Sequence, residues 1–470
     1  MVAGADRTRP TAVTLAVTGV VILLVIGLIT LLYVNFPPNV ETPYGVHRHA
    51  ISFFHLIWSY PTFELSPGTF QLFAAGAIVL FWAAYLFALW TVSRLPDGQD
   101  HSSLIPVILG FAVVFNAALL FYFPPIFSGD VFHYAIQGRL YSLYSVNPYA
   151  VSANTLTDDP FWLLTIWREG TTQYGPAWIQ LASLCAWLGD GSVLLTIFLF
   201  KLLAAIANLG GAVLVVALAR RLSGDDGVVP LLFYAWNPIL LLESSGTAHS
   251  DATMMALALL GMLLFAQNRL FLGVTVLLAS AMIKYTTLLL LAFVLIYLVA
   301  RRESLQRIGP MLRLGLLMAF LLLFFYGPFI SGAPDPTQLF AGVSPSLNPM
   351  PNNAGVLLRQ AAAALLHIAG VDAVEYVTLA LNAAFVGLVL AMIPGLLLTE
   401  TTLADVIGRF GLAALIYSFL IYAGSFPWYL VCPLVALSVA SQTRATFYTR
   451  LLTIGLGIGF TLQLTRLLPK

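Results

Sequence analysis

Side chains that could transfer protons are concentrated in residues 127–149, with the sequence FSGDVFHYAIQGRLYSLYSVNPY. A helix that begins near Asp130 would place polar side chains three, four and seven residues apart on one face. The side chains on that face are Asp130, His133, Tyr134 and Gln137, with Arg139 close by. A partly desolvated carboxylate in such a group can act as a general base toward a hydroxyl. The alternatives are that Asp130 only caps the helix and that His133 only makes a hydrogen bond.

A second polar cluster lies in the sequence WNPILLLESSGTAHSDATMM, which contains Glu243, His249 and Asp251. These side chains would stand at the adjoining ends of two helices, where they could contact a polar substrate. His249 and Asp251 also fit an ordinary helix N-terminus, which favours negative charge. Glu243 could equally bind a substrate or satisfy backbone groups.

Aromatic and cationic side chains complete the set of candidate site residues. Trp428 and Tyr429, in the turn SFPWYL at residues 425–430, fit a sugar-ring platform or an aromatic belt at a membrane interface equally well. Lys201 and Lys284 are candidate ligands of a lipid phosphate, because a lysine in or beside an apolar segment is costly without a partner. Lys201 could instead pair with a carboxylate or extend to the interface.

The elements that position these residues follow from the composition. The chain has 470 residues, of which 60% are hydrophobic and 9% charged, and its mean hydropathy is +0.92. A soluble domain carries about 25% charged residues, so the composition predicts an all-α, polytopic integral membrane protein. A net charge of +1 excludes a nucleic-acid partner bound through a dense basic surface. Cys185 and Cys432 lie in apolar runs and do not form a disulfide framework.

Apolar runs predict about 13 transmembrane helices within one domain of residues 1–470, with no separate soluble domain. Two N-terminal spans fall within residues 11–92, and a core covers about residues 104–441. Residues 175–188 are interpreted as an interfacial or re-entrant helix. The predicted spans are 11–34, 70–92, 104–123, 192–219, 228–242, 251–267, 270–283, 285–300, 311–330, 372–398, 408–423, 428–441 and 450–465.

The orientation follows from the basic residues, because cytoplasmic loops are enriched in Lys and Arg. Thirteen arginines fall on one side of the 13 spans, against five basic residues near the other. This bias predicts a cell-membrane protein whose N-terminus is cytoplasmic. The long loops, about 35–69, 124–191 and 331–371, and most acids then lie outside, so we expect the chemistry on the outer face.

The order of motifs resembles that of the GT-C superfamily of polytopic glycosyltransferases. The motifs are SGD, GRL, NPY, QYGP, WNP with a downstream HSD, IKYT and PWYL, spread over about residues 104–441. Within the superfamily, the chain resembles the bacterial polyprenyl-phosphate-mannose-dependent α-1,6-mannosyltransferases of lipomannan assembly. It departs from the simplest layout because two spans precede the loop with Asp130. HSD also replaces the more usual HND.

The resemblance implies transfer of a hexose, mannose above all, from a polyprenyl-phosphate carrier. Displacement by direct attack of the acceptor would invert the anomeric configuration. The acceptor would be a glycolipid or cell-envelope glycan on the outer face, and Asp130 would be the general base. His133, Tyr134, Gln137, Arg139, Tyr174, Glu243, His249, Asp251, Trp428 and Tyr429 would contact substrate, and Lys201 and Lys284 the lipid phosphate. The single acid of SGD leaves a need for a divalent cation, Mg or Mn, undecided.

Other functions stay open at this point. Transfer of a pentose or an aminosugar, or transfer to protein, would use the same parts. A secondary transporter of a lipid or sugar would place Lys201 on the path of its substrate, but no internal repeat is visible in the sequence. An assembly factor would leave the Asp130 segment unexplained. Residues 334–353 could form a lid or a plain connector. His47, His49 and His55 have zinc-compatible spacing but no nearby Cys or acid to complete a set.

Overall fold

A computed structural model describes most of the chain. It describes residues 8–35, 40–41, 60–96, 99–125, 127–301, 307–332, 337–339, 360–361, 364, 374–421, 426–465 and 468–469. The zinc hypothesis for His47, His49 and His55, and most of the segment 334–353, lie outside these residues.

The regular elements of the described chain are helices, apart from one antiparallel pair of two-residue strands, β1 (Val40–Glu41) and β2 (Leu468–Pro469). Short 3₁₀ turns occur at Ser102–Leu104, Ala153–Thr155 and Pro427–Leu430, and π-turns at Leu242–Gly246 and Tyr417–Ile421. The α-helices are α1 (Thr8–Val34), α2 (Pro67–Ser93), α3 (Ile105–Tyr122), α4 (Asp130–Ser142), α5 (Pro176–Gly189), α6 (Val193–Ser223), α7 (Val228–Ala235), α8 (Pro238–Leu241), α9 (Ser250–Ala266), α10 (Leu270–Ala281), α11 (Thr287–Arg301), α12 (Ile308–Ile330), α13 (Val374–Leu397), α14 (Leu403–Ile416), α15 (Val431–Ser438) and α16 (Arg444–Gln463).

Seven helices of the described chain are long and apolar enough to cross a membrane, or eight if one bent pair counts as a single span. They are α1, α2, α3 with its preceding 3₁₀ turn, α6, α12, α13 and α16. Their outer faces expose large apolar side chains such as Leu24, Leu72 and Phe320, as contact with lipid requires. The protein is therefore a polytopic helical membrane protein.

The predicted count of 13 spans is not confirmed, because several predicted segments form helices shorter than the roughly 20 residues that a bilayer needs. The apolar helices α9, α10 and α11, and the segment Pro427–Ser438, have at most 17 residues. The run 175–188 forms α5, which has 14 residues and packs against α4. That packing makes α5 a support for the Asp130 helix.

The predicted span 228–242 is broken in two. The helices on either side of Trp236 and Asn237 meet at 54°. Pro238 has no amide hydrogen and cannot continue a helix from its N-terminal side, while the Asn237 side chain caps the second helix by accepting from the amide of Ile239. The second helix then ends in the π-turn Leu242–Gly246, which carries Glu243.

Candidate functional site

Asp130 is the first residue of α4, as the motif predicts, and Gly129 stands at the N-cap position. The hydrogen bonds that its carboxylate accepts in the described structure come from side chains. Trp167 Nε1 lies 3.2 Å from Oδ1, and the Tyr174 hydroxyl lies 3.3 Å from Oδ2. Tyr134 is 3.5 Å from the same oxygen. The carboxylate is thus directed into a group of polar rings instead of toward the amides of its own helix.

Both phenols beside Asp130 lie outside the candidate spans, and both are buried. Burial raises the pKa of Tyr134 and of Tyr174, and the negative charge of Asp130 raises each pKa further. Both hydroxyls therefore keep their protons at neutral pH and can donate to the carboxylate.

Glu243 and His249 meet behind Asp130. His249 Nε2 lies 3.2 Å from Glu243 Oε2, and Nδ1 lies 3.7 Å from Asp130 Oδ2. The Tyr134 hydroxyl is 3.3 Å from the same Nδ1. Ala248, which precedes the histidine, has a φ of +63°, a conformation that costs about 1–2 kcal/mol for an L-residue. The backbone amide of His249 also donates to the carbonyl of Glu243, so the local backbone fixes the imidazole next to the glutamate.

Lys284 and Asp251 form the second charged pair of the site. Lys284 Nζ lies 2.9 Å from each oxygen of the Asp251 carboxylate and 4.7 Å from the centre of the Tyr429 ring. The lysine side chain keeps 19% of its surface exposed, against 3% for Asp251. An ammonium has three donors, so one N–H remains for a ligand.

A close backbone contact brings Lys284 beside the Tyr174 loop. Gly175 donates from its amide to the carbonyl of Ile283, and Ala177 donates to the carbonyl of Met282. A Cβ at Gly175 would lie 2.1 Å from the Met282 oxygen, closer than any non-bonded contact allows. The motifs QYGP and IKYT are therefore two halves of one junction.

The aromatic turn 426–430 packs onto the histidine. Trp428 stacks on the His249 ring with centroids 4.3 Å apart, and Phe426 stacks on the other side of the indole at 4.4 Å. This stack covers His249, whose side chain is fully buried. Trp428 itself lines a cavity.

These groups surround one end of a cavity of about 510 Å³. The opposite end is apolar and lies between α11, α13 and α14. The cavity is lined by Asp130, Gln173, Tyr174, Asp251, Lys284, Tyr285, Thr286, Leu288, Leu289, Phe385, Val386, Val389, Leu390, Phe410, Ala414, Tyr417, Ser418, Trp428, Tyr429 and Cys432.

The structure brings nine of the thirteen proposed site residues together at or directly behind the polar end: Asp130, Tyr134, Tyr174, Glu243, His249, Asp251, Lys284, Trp428 and Tyr429. His133 and Gln137 are buried on α4 but do not line the cavity; His133 Nδ1 and both Gln137 amide atoms have no partner among the described residues.

Arg139 and Lys201 have other partners. Arg139 Nε lies 2.7 Å from Asp159 Oδ2. Lys201 donates to the carbonyls of Leu119 and Phe123 at the end of α3, where the helix dipole favours a cation. These contacts account for both charges without a phosphate, and neither side chain lines the cavity.

Several site residues were missed from the sequence. Trp167, which donates to Asp130, lies in an irregular stretch of the loop 124–191, and no pattern there marks it. The same holds for Asp159, the partner of Arg139. Gln173 and Tyr285 belong to the quoted motifs QYGP and IKYT, so adjacency to Tyr174 and Lys284 could have found them. In the described chain, no three His, Cys, Asp or Glu side chains are placed to hold a metal ion.

The fold defines a polytopic helical membrane protein, and comparison with known proteins gives its family. The family model "Alpha-(1->6)-mannopyranosyltransferase, N-terminal domain" matches residues 52–300, just over half of the chain, and the chain belongs to that family. This confirms the resemblance drawn from the motifs. No solved structure matches.

Two curated relatives carry the name "Alpha-(1->6)-mannopyranosyltransferase A". The protein of Mycobacterium tuberculosis is 30% identical over 178 residues, which cover 36% of this chain and 33% of the relative. The protein of Corynebacterium glutamicum is 26% identical over 178 residues, which cover 37% and 36%. The chain thus spans about a third of the length of the curated relatives it matches.

Proposed function

We propose that the protein transfers mannose from a polyprenyl-phosphate carrier to a glycolipid or cell-envelope glycan, with inversion, on the outer face of the cell membrane. The observation that carries the proposal is the continuity of one cavity. Its polar end holds Asp130 and Lys284, and its other end is lined by apolar side chains of α11, α13 and α14. A lipid-linked sugar phosphate needs both ends at once.

The charged groups match the two reacting ends of such a donor. Lys284 is held by Asp251 but keeps a donor for a phosphate oxygen. As the bond between the anomeric carbon and the phosphate breaks, negative charge grows on the leaving phosphate, and a fixed cation stabilises it. The apolar groove beside Leu289 and Val389 would hold the start of the polyprenyl chain.

Asp130 is the proposed base. An acceptor hydroxyl in the polar end loses its proton to the carboxylate as its oxygen attacks the anomeric carbon. The electron pair of the breaking bond leaves with the phosphate, so one direct displacement inverts the anomeric centre. Tyr174 and Trp167, each bonded to Asp130, hold the carboxylate in one orientation. Trp428 and Tyr429, which line the same end of the cavity, offer apolar aromatic surface to a sugar ring.

The test is transfer by purified protein in liposomes, with polyprenyl-phosphate-[¹⁴C]mannose as donor and a synthetic alkyl α-mannoside as acceptor. The wild type should form an α-mannosylated product, and Asp130→Asn should lower kcat by about 10²–10⁴-fold. Asp190→Asn, in the turn after α5 and outside the cavity lining, is the matched control.

The outcomes separate the alternatives. Full activity of Asp130→Asn would remove Asp130 as the base. Transfer from a labelled pentose or aminosugar carrier, with none from the mannose carrier, would replace mannose as the donor sugar. Uptake of a solute into the liposomes without donor consumption would favour a transporter. Impermeant labelling of a cysteine placed in the polar end reports which face of the membrane it occupies.

A further inference from the structure

The charged groups behind Asp130 have no place in the transfer chemistry described so far. Glu243 is buried, and the fully buried His249 is covered by Trp428, so neither lines the cavity. A buried carboxylate and imidazole are costly to retain. Their position requires an explanation other than contact with substrate.

We propose that His249, held by Glu243, receives through Tyr134 the proton that Asp130 takes from the acceptor. The proposal rests on the proposed function, since it assigns the fate of the proton in that reaction. His249 and Glu243 would then be positioning residues that act through Asp130, and the expectation that they bind substrate would be replaced.

The geometry defines the route. The Tyr134 hydroxyl lies 3.5 Å from Asp130 Oδ2 and 3.3 Å from His249 Nδ1, and the direct distance from that oxygen to Nδ1 is 3.7 Å. The phenol therefore stands between acid and imidazole. Hydrogen bonds of this length in an unliganded site commonly tighten in the complex with substrate.

Glu243 sets the tautomer of the histidine. Its Oε2 lies 3.2 Å from Nε2. The ring N–H is not aligned for a hydrogen bond at this distance, but the adjacent negative charge favours a proton on Nε2 and leaves the lone pair on Nδ1 facing Tyr134. Protonation of Nδ1 then creates an imidazolium next to the Glu243 carboxylate, which stabilises it. In the described chain, the ionisable groups within ion-pair or hydrogen-bond distance of the imidazole are Asp130 and Tyr134 on α4 and Glu243 on the π-turn. The turn 427–430 contributes the Trp428 ring.

The proton balance closes in three transfers. The acceptor O–H bond breaks, and the proton goes to Asp130 as the new glycosidic bond forms and the phosphate leaves with the electron pair. Asp130 then passes this proton to the Tyr134 oxygen while Tyr134 gives its own proton to His249 Nδ1. After product release, the reverse transfers return one proton to water through Asp130. The carboxylate is thus ionised again while product is still bound.

The experiment compares the pH dependence of kcat in the same liposome assay. In the wild type, His249 must be neutral to accept, so kcat should fall at acid pH as it becomes protonated. His249→Gln should lower kcat by about 10- to 10²-fold and move the acid limb to lower pH. Glu243→Gln, which keeps a hydrogen-bond acceptor but removes the charge, should move the limb in the same direction, because it destabilises the imidazolium. Tyr134→Phe, which removes the bridging hydroxyl, should also lower kcat and move the limb to lower pH, because His249 is then uncoupled from Asp130.

Controls separate this proposal from folding and from the proposed function. His101→Gln alters another buried histidine, one outside the cavity lining, and should match the wild type. If His249→Gln and Glu243→Gln lower kcat but leave the acid limb of the pH profile unchanged, the pair has only a structural role and the relay is overturned. Near-wild-type kcat in both variants would also overturn the relay. If the wild type itself transfers no mannose, the proposed function fails and not the relay alone.

Discussion

The two ends of the cavity differ in how their residues are held. At the polar end, Asp130, Asp251 and Lys284 each have at least one side-chain partner at a defined distance, and all three lie within the matched family region, residues 52–300. At the apolar end, Phe385, Val389 and Ala414 come from α13 and α14, beyond that region. The matched region therefore supplies the charged groups of the polar end, and α13 and α14, which lie beyond it, complete the apolar groove.

The difference has a physical cause. Orienting charged groups requires fixed directions, because a hydrogen bond weakens steeply with misalignment. Contact with a hydrocarbon chain is non-directional and depends on area. Changes at the polar end should therefore act mainly on kcat, and changes at the apolar end should act on the affinity for the lipid part of the donor.

The largest effect in this comparison is expected at Lys284. Lys284→Met should lower kcat by about 10²-fold, because it removes the cation proposed to stabilise the leaving phosphate and leaves Asp251 buried without this partner. Lys284→Arg should recover part of the loss, since it keeps the charge. The measurement is the same mannose transfer assay, with Lys201→Met as a second lysine that does not line the cavity.

Equal losses of kcat in the two Met variants, relative to the folded protein present, would contradict a special role of Lys284. Lys201→Met should instead act on stability, because it leaves the carbonyls of Leu119 and Phe123 without their charged donor. A thermal unfolding measurement on the detergent-solubilised protein separates the two effects.

A smaller effect is expected at the apolar end. Val389→Trp narrows the groove between α13 and α14, so KM for a long-chain polyprenyl donor should rise about 10-fold, equivalent to about 1.4 kcal/mol of lost binding. The same variant should leave kcat, and KM for a short alkyl-phosphate-mannose, nearly unchanged. Leu379→Trp on the exposed face of α13 is the matched control. An equal rise in KM for both donor lengths would mean that the groove does not hold the chain.

Much of the polar end was predictable from the sequence, because its residues lie in short local motifs. The spacing of polar residues predicted the helix that starts at Asp130. The order of the short motifs marked His249 and Lys284 as candidate site residues. The structure adds the pairings, such as that between Lys284 and Asp251, which depend on contacts between segments 33 residues apart along the chain. No periodicity encodes such a contact.

Among the apolar segments, the sequence predicted the long helices well and the short ones poorly. Long apolar runs such as those of α1 and α6 were found within a few residues of their ends. Hydropathy alone could not separate helices long enough to span a membrane from shorter apolar helices such as α10, which has 12 residues. The roles expected for Arg139 and Lys201 depended on which partner each charge finds, and Asp159 and the end of α3 were not recognisable as partners.

The smallest expected effect concerns stability and not catalysis. His133 lies on α4 one turn after Asp130 but outside the cavity lining. Burial lowers its pKa to about 4, against 6.5 for an ordinary histidine, while the charge of Asp130 opposes the shift. Between these two values the unfolded chain binds a proton that the folded protein does not. The contribution of neutral His133 to the free energy of unfolding should therefore be fully present above about pH 6.5 and be lost as the pH falls toward 4. His133→Gln removes this linkage, so its unfolding temperature should depend less on pH across that window and match the wild-type dependence above pH 7. Thermal unfolding at pH 4.5, 5.5, 6.5 and 7.5 gives the measurement.

Parallel plots of unfolding temperature against pH for wild type and His133→Gln would show that His133 is not held neutral in the fold. An altered transfer rate of the variant at pH 7.5 would show that His133 acts at the polar end after all.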